Sequence, residues 1–278
     1  MKSILRIVLA FVMLTVIEKQ IGYNDMLARP VVICAASVLC AFFPSGFISF
    51  MAAAFVLANM AELSLMMAAF AAIMGAMIFV LYYGYRPGMG VVISIVPLMC
   101  YFKIPFVIPL ILGVSCGLLS CVPAALGVVC WSIVHYFAQN ADSFSSSTSS
   151  ELTHELVTIA QSILMNEYMY VMIFAFVLCI AVVSLISKSS MNNCWMISVC
   201  AGAVILAVVM IIGGAYVGGG SLVGDIVGLL VSFVIALIYV SVVFSVDFNK
   251  TEHLSYEDDD YYYYVKAVPK IKPDKGER

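Results

Sequence analysis

The sequence predicts an all-α, polytopic membrane helix bundle of about eight to ten segments, and three observations carry that prediction. Apolar residues fill 64% of the 278 positions and charged residues only 10%, against roughly 25% charged in soluble globular chains. From Pro30 to Ala138 the only charged side chains are Glu62, Arg86 and Lys103. Seven of the nine prolines (Pro30, Pro44, Pro87, Pro97, Pro105, Pro109 and Pro123) fall in that same stretch, and none occurs between Leu126 and Val268.

Apolar runs between polar or turn residues mark ten segments, at 4–17, 30–45, 46–61, 62–83, 88–101, 104–119, 120–138, 167–187, 192–214 and 222–246. Several early ones are short. Fourteen residues such as 89–102 rise about 21 Å, against a hydrocarbon core of about 30 Å. Each proline removes a backbone donor and disfavours helix at the residue before it, so short, broken helices are expected in the N-terminal half. Backbone groups freed in this way need cover from protein or a wet cavity at membrane depth. The last three segments are long enough to span and carry no proline. Four regions follow: a membrane bundle over 1–138, a linker over 139–166, a three-helix membrane region over 167–246, and a tail over 247–278.

Met1 to Ile17 has the outline of a signal peptide, with Lys2 and Arg6 ahead of an apolar run. The run ends in Glu18-Lys19-Gln20 rather than a small-x-small cleavage site, so it reads as a retained first segment or interfacial anchor. Lys2, Arg6, Arg86, Lys188 and the six basic residues of the tail fall on one side if all ten segments cross, which places both termini in the cytoplasm. Lys19, Arg29 and Lys103 run against that count. A bacterial plasma membrane is the expected location. Tyr82, Tyr83, Tyr85 and Trp195 would mark inner ends, and Trp131, Tyr136, Tyr168, Tyr170 and Tyr216 outer ones.

The linker opens on a Ser/Thr-rich run, 143–150, of the kind that forms flexible spacers. Thr148 and Glu151 then have capping-box spacing, and Leu152, Leu156, Ile159 and Ile163 recur on one helical face. An interfacial helix on the outer surface is expected there, with a lid over a substrate path as the alternative.

Three features are candidate sites. Gly220, Gly224 and Gly228 stand four apart at the head of the last segment. Small residues at this spacing let helix backbones approach in lipid, with the partner expected in the same chain, over 195–214, or in a second subunit. Asp225 lies within that segment. An ionisable residue there points to an ion, proton or ligand path, or else sits at a helix N-terminus where the macrodipole favours a carboxylate. Asn59 and Glu62 lie in the same outer layer. If Glu62 and Asp225 met, a cation or proton site would follow; otherwise Glu62 caps a helix.

The tail changes character abruptly. Glu257-Asp258-Asp259-Asp260 precedes Tyr261-Tyr262-Tyr263-Tyr264-Val265-Lys266. Tyrosine and valine favour extended structure, so the segment suits addition to a partner's sheet edge, phosphorylation of its tyrosines, or a short strand folded back on the protein itself.

Catalysis finds little support, and a membrane enzyme ranks third among the readings. His135, His154 and His253 are scattered, no nucleophile constellation or zinc spacing is present, and Gly88-Met89-Gly90 is too short for a nucleotide loop. The nine cysteines lie mostly in apolar runs, where a thiol acts as a small hydrophobe. Asn249-Lys250-Thr251 matches a glycosylation acceptor but falls on the cytoplasmic side. No cofactor, metal or nucleic-acid partner is expected. The lipid bilayer is one partner and a protein at the tail a second, which makes the chain a non-enzymatic membrane subunit or scaffold. The alternative is a small-solute or ion permease, or the membrane component of a larger transporter.

Overall fold

A computed structural model describes residues 2–43, 46–63, 65–85, 90–144, 161–189, 193–217, 222–244, 252–257 and 262–267. Ten α-helices follow one another among the described residues, besides the described end of a further helix at 161–164. They are α1 (Lys2–Ile21), α2 (Pro30–Phe42), α3 (Phe47–Leu63), α4 (Leu65–Tyr85), α5 (Gly90–Tyr101), α6 (Val107–Ser115), α7 (Cys121–Phe144), α8 (Glu167–Ser187), α9 (Cys194–Val217) and α10 (Leu222–Val243). All ten expected segments are therefore helices. Among the described residues, four stretches are long and apolar enough to cross a membrane: Leu118–Asn140, Glu167–Ser187, Cys194–Val217 and Val223–Val243. The chain is a multi-pass membrane protein, with shorter apolar helices in its N-terminal half.

The fourth long helix is one more than the proline pattern suggests. Pro123 sits at the third position of α7, where the first-turn N–H groups have no intrahelical partner in any case. It starts a helix instead of breaking one. Pro30 does the same at the head of α2, and Pro109 lies in the first turn of α6. Only Pro97, in α5, is interior to a helix among the described residues.

The α5–α6 hairpin shows why its helices are short. Ile104 N donates to Met99 O and Lys103 N to Cys100 O, both at 3.0 Å. This is the paired 6→1 and 5→2 bonding that closes a helix, with its left-handed residue next to last. Lys103 fills that left-handed position with φ of 59°, a place usually given to glycine. Pro105 follows and cannot continue the helix. With 12 and nine residues, the two arms rise about 18 and 14 Å, roughly half of the hydrocarbon core each.

The densest packing surrounds α8, where Ala175, Phe176, Cys179, Ile180 and Val183 are fully buried. Leu110 of α6, Val128 of α7 and Leu206 of α9 join the same cluster. Val183 is gripped from two sides. A Cβ on Gly113 of α6 would lie 2.7 Å from the Val183 Cβ, and one on Gly202 of α9 would collide with its Cγ2 and come within 2.9 Å of Leu110 Cδ2. Lipid offers no hydrophobic gain for helix association, so such close approach is what holds these helices together. A second cluster joins Ile21, Met60, Ile93, Ile133, Phe137 and Ile163. Residues 161–164 are helical, so the end of the expected amphipathic helix packs on the bundle through Ile163. Its Thr148, Glu151, Leu152, Leu156 and Ile159 lie outside the described residues.

In the tail, Glu252–Glu257 (β1) pairs antiparallel with Tyr262–Ala267 (β2). The sequence pattern pointed to the second strand only.

Candidate functional site

A polar cluster is built where α1 ends and α3 ends, with Asn59 at its centre. Asn59 is fully buried. Its Oδ1 accepts from Tyr23 N at 3.0 Å and Asn24 N at 3.1 Å, and its Nδ2 donates to Glu18 Oε1 at 2.8 Å and Phe55 O at 3.0 Å. Both acceptor and both donor positions of the amide are thus used. Two backbone N–H groups fix which end is oxygen, so the NH2 must face Glu18.

Glu18 is 9% exposed, and its buried Oε2 has no hydrogen-bond partner among the described residues. A buried polar atom left unpaired costs about 1–3 kcal/mol, and more when charged. Asn24 links this pair to the surface. Its Nδ2 donates to Glu62 Oε1 at 3.1 Å, while its Oδ1 accepts from Met26 N at 2.9 Å and shapes the loop after α1. Glu62 is exposed. Chemically, the cluster offers one buried carboxyl oxygen able to hold a proton or receive a donor, on a scaffold whose other positions are filled.

Asp225 stands apart from this cluster. It lies in the first turn of α10 and accepts from Tyr168 Oη at 3.1 Å, from the first turn of α8. That is the helix-terminal arrangement, in which the macrodipole and a hydroxyl both favour a carboxylate. The meeting of Glu62 with Asp225 does not occur, because Glu62 is taken up by the α1–α3 cluster.

Of the glycine face, Gly228 is buried and Gly224 half-buried; Gly220 lies outside the described residues. A Cβ on Gly228 would collide with the carbonyl oxygen of Lys103. The close contact at Gly228 is within the chain, with the α5–α6 turn rather than with 195–214. Among the described residues no group of three or more His, Cys, Asp or Glu converges as a metal site, and no cysteine is joined in a disulfide.

Within the tail, the strand register sets Leu254 opposite Val265, Ser255 opposite Tyr264, Tyr256 opposite Tyr263 and Glu257 opposite Tyr262. Tyr262 is exposed. Asp258, Asp259, Asp260 and Tyr261, at the connection, lie outside the described residues.

No family model, curated protein or solved structure matches this chain.

Two residues of the α1–α3 cluster escape a reading of the sequence. Glu18 closes the first apolar run and looks like a boundary marker, and Asn24 looks like loop. The available signal is the pair Asn59 and Glu62 one turn apart in an apolar helix, which needs polar partners from elsewhere.

Proposed function

We propose that the chain is a non-enzymatic integral membrane subunit, or scaffold, whose C-terminal tail docks a partner protein. The observation that carries this reading is the β1–β2 ribbon. A two-stranded hairpin is marginally stable alone, and a third strand from a partner would pair its open edge. The distribution of Lys and Arg supports a cytoplasmic side for this ribbon and for the N-terminus. Compact loops fit a bacterial plasma membrane.

Purification of the full chain from mild detergent should bring down one stoichiometric protein, absent when residues 252–267 are deleted. Equal recovery with and without the ribbon would overturn the reading. If no partner is recovered and the purified chain moves an ion or solute into liposomes, the alternative of a permease or transporter component takes its place. Glu18 is the residue that favours that alternative, since a buried carboxyl oxygen with no partner among the described residues is a feature of transport paths in membrane proteins.

A further inference from the structure

Gly117 stands between α6 and α7 with φ of 73° and ψ of −163°, a conformation open in practice only to glycine. A Cβ built on it would lie 3.3 Å from Ser184 Oγ and 3.8 Å from Lys188 Nζ, both at the C-terminal end of α8. The missing side chain leaves a notch on which a hydroxyl and an ammonium converge.

The hydroxyl is the anomaly. Ser184 is 1% exposed, and its buried Oγ has no hydrogen-bond partner among the described residues. Serines elsewhere in these helices bond back to a carbonyl of their own helix, as Ser132 does to Val128 O at 3.1 Å and Ser198 to Trp195 O at 2.8 Å. Buried polar atoms are paired as a rule, so a hydroxyl left over beside a notch calls for a partner from outside the chain. The backbone adds donors. Gly117 leads into a 3₁₀ turn, Leu118–Ser120, that runs directly into α7. The N–H groups of Leu118 and Leu119 open that run without intrahelical acceptors, and Ser120 N is bonded to Gly117 O at 3.1 Å.

Charge selects the ligand. A helix N-terminus carries about half a positive elementary charge, and Lys188 adds a full one with three donors and no acceptor. The acids of α7, α8 and α10 (Asp142, Glu167 and Asp225) lie at the far ends of those helices, and α6 and α9 have none. The notch therefore attracts an anion. A tetrahedral phosphate has acceptor oxygens enough for a hydroxyl, an ammonium and a helix N-terminus together.

We infer that this notch binds a phosphate group, held by Lys188, by Ser184 and by the N–H groups that open α7. A phospholipid headgroup and a free phosphate ion share this chemistry, and the experiment separates them. The site belongs to the membrane bundle and stands whether or not the tail docks a partner.

Delipidated full-length chain in a non-ionic detergent is offered three probes: dioleoylphosphatidylglycerol, dioleoylglycerol with the same tails and no phosphate, and inorganic phosphate. Native mass spectrometry counts the lipids, and equilibrium dialysis with labelled phosphate counts the ion. Retention of one phosphatidylglycerol per chain without dioleoylglycerol assigns a headgroup, and saturable binding of one phosphate ion assigns the free anion; either supports the site. Lys188→Gln should weaken the bound probe roughly tenfold, through loss of a charge-assisted contact. Ser184→Ala should weaken it roughly threefold while leaving thermal stability unchanged, since no group within the described chain loses a bond, and it keeps the test readable should Lys188→Gln disturb the helix end. Lys103→Gln, at the opposite end of α6, should bind as the wild type does. Equal retention of dioleoylglycerol and phosphatidylglycerol overturns the inference. So does unchanged binding in both folded variants, or a wild-type chain that takes up neither phosphate probe.

Discussion

Helices α8 and α4 have the same length, 21 residues, and opposite surroundings. Five residues of α8 are fully buried. Across 68–80 of α4 only Ala71 and Ile78 are buried, while Ile73, Met77 and Val80 are widely exposed. Around α8, single glycines on α6 and α9 let backbones close onto Val183. Around α1 and α3, a saturated asparagine ties chain segments together, and between them and α4 a groove remains. In a solvent as apolar as the side chains themselves, interlocking shape fixes one half of this bundle and directional polar bonds fix much of the other.

Breaking the interlock should have the largest effect. Gly202→Leu places a side chain where even a Cβ collides with Val183, and overpacking of this kind costs about 3 kcal/mol. Denaturant unfolding in detergent micelles should show a shift of that size; a change below roughly 1 kcal/mol would mean that α9 slides freely over α8.

Removing the polar tie comes next. Asn59→Ala strands the Glu18 carboxyl and the Tyr23 and Asn24 amides, for a loss of about 2 kcal/mol. Amide exchange should quicken in α1 and α3 and stay unchanged in α8 and α9. Faster exchange spread evenly over all helices would erase the distinction between the halves.

The smallest expected effect is a gain. Lys103 holds a left-handed conformation that costs a side-chain-bearing residue about 1 kcal/mol, so Lys103→Gly should stabilise the chain by about that amount. A loss on thermal melting would show instead that the lysine side chain anchors the turn.

Much of the fold was legible because its signals are local. The ten apolar runs became ten helices, and Pro30, Pro109 and Pro123 fell at helix starts. The proline reading overstated breakage, since position within the first turn decides whether proline harms a helix, and run boundaries blur that position by a residue or two. Pro123 is the clear instance. Gly228 announced itself by its four-residue repeat, whereas Gly113 and Gly202 stand singly and their meaning depends on Val183, some 70 and 20 positions away. The α1–α3 cluster was half legible for the same reason. Asn59 and Glu62 stood out against apolar surroundings, but only tertiary structure brings Glu18 and Asn24 to them.

The α5–α6 hairpin also shows how distant parts of the chain depend on one another. Neither arm can enter the bilayer as a self-sufficient span, and its turn is seated against Gly228 of α10. The hairpin therefore takes part of its support from a helix far along the chain: α7 and α8 pack against its arms, as Phe106 does on Phe176, and α10 adds the seat under its turn.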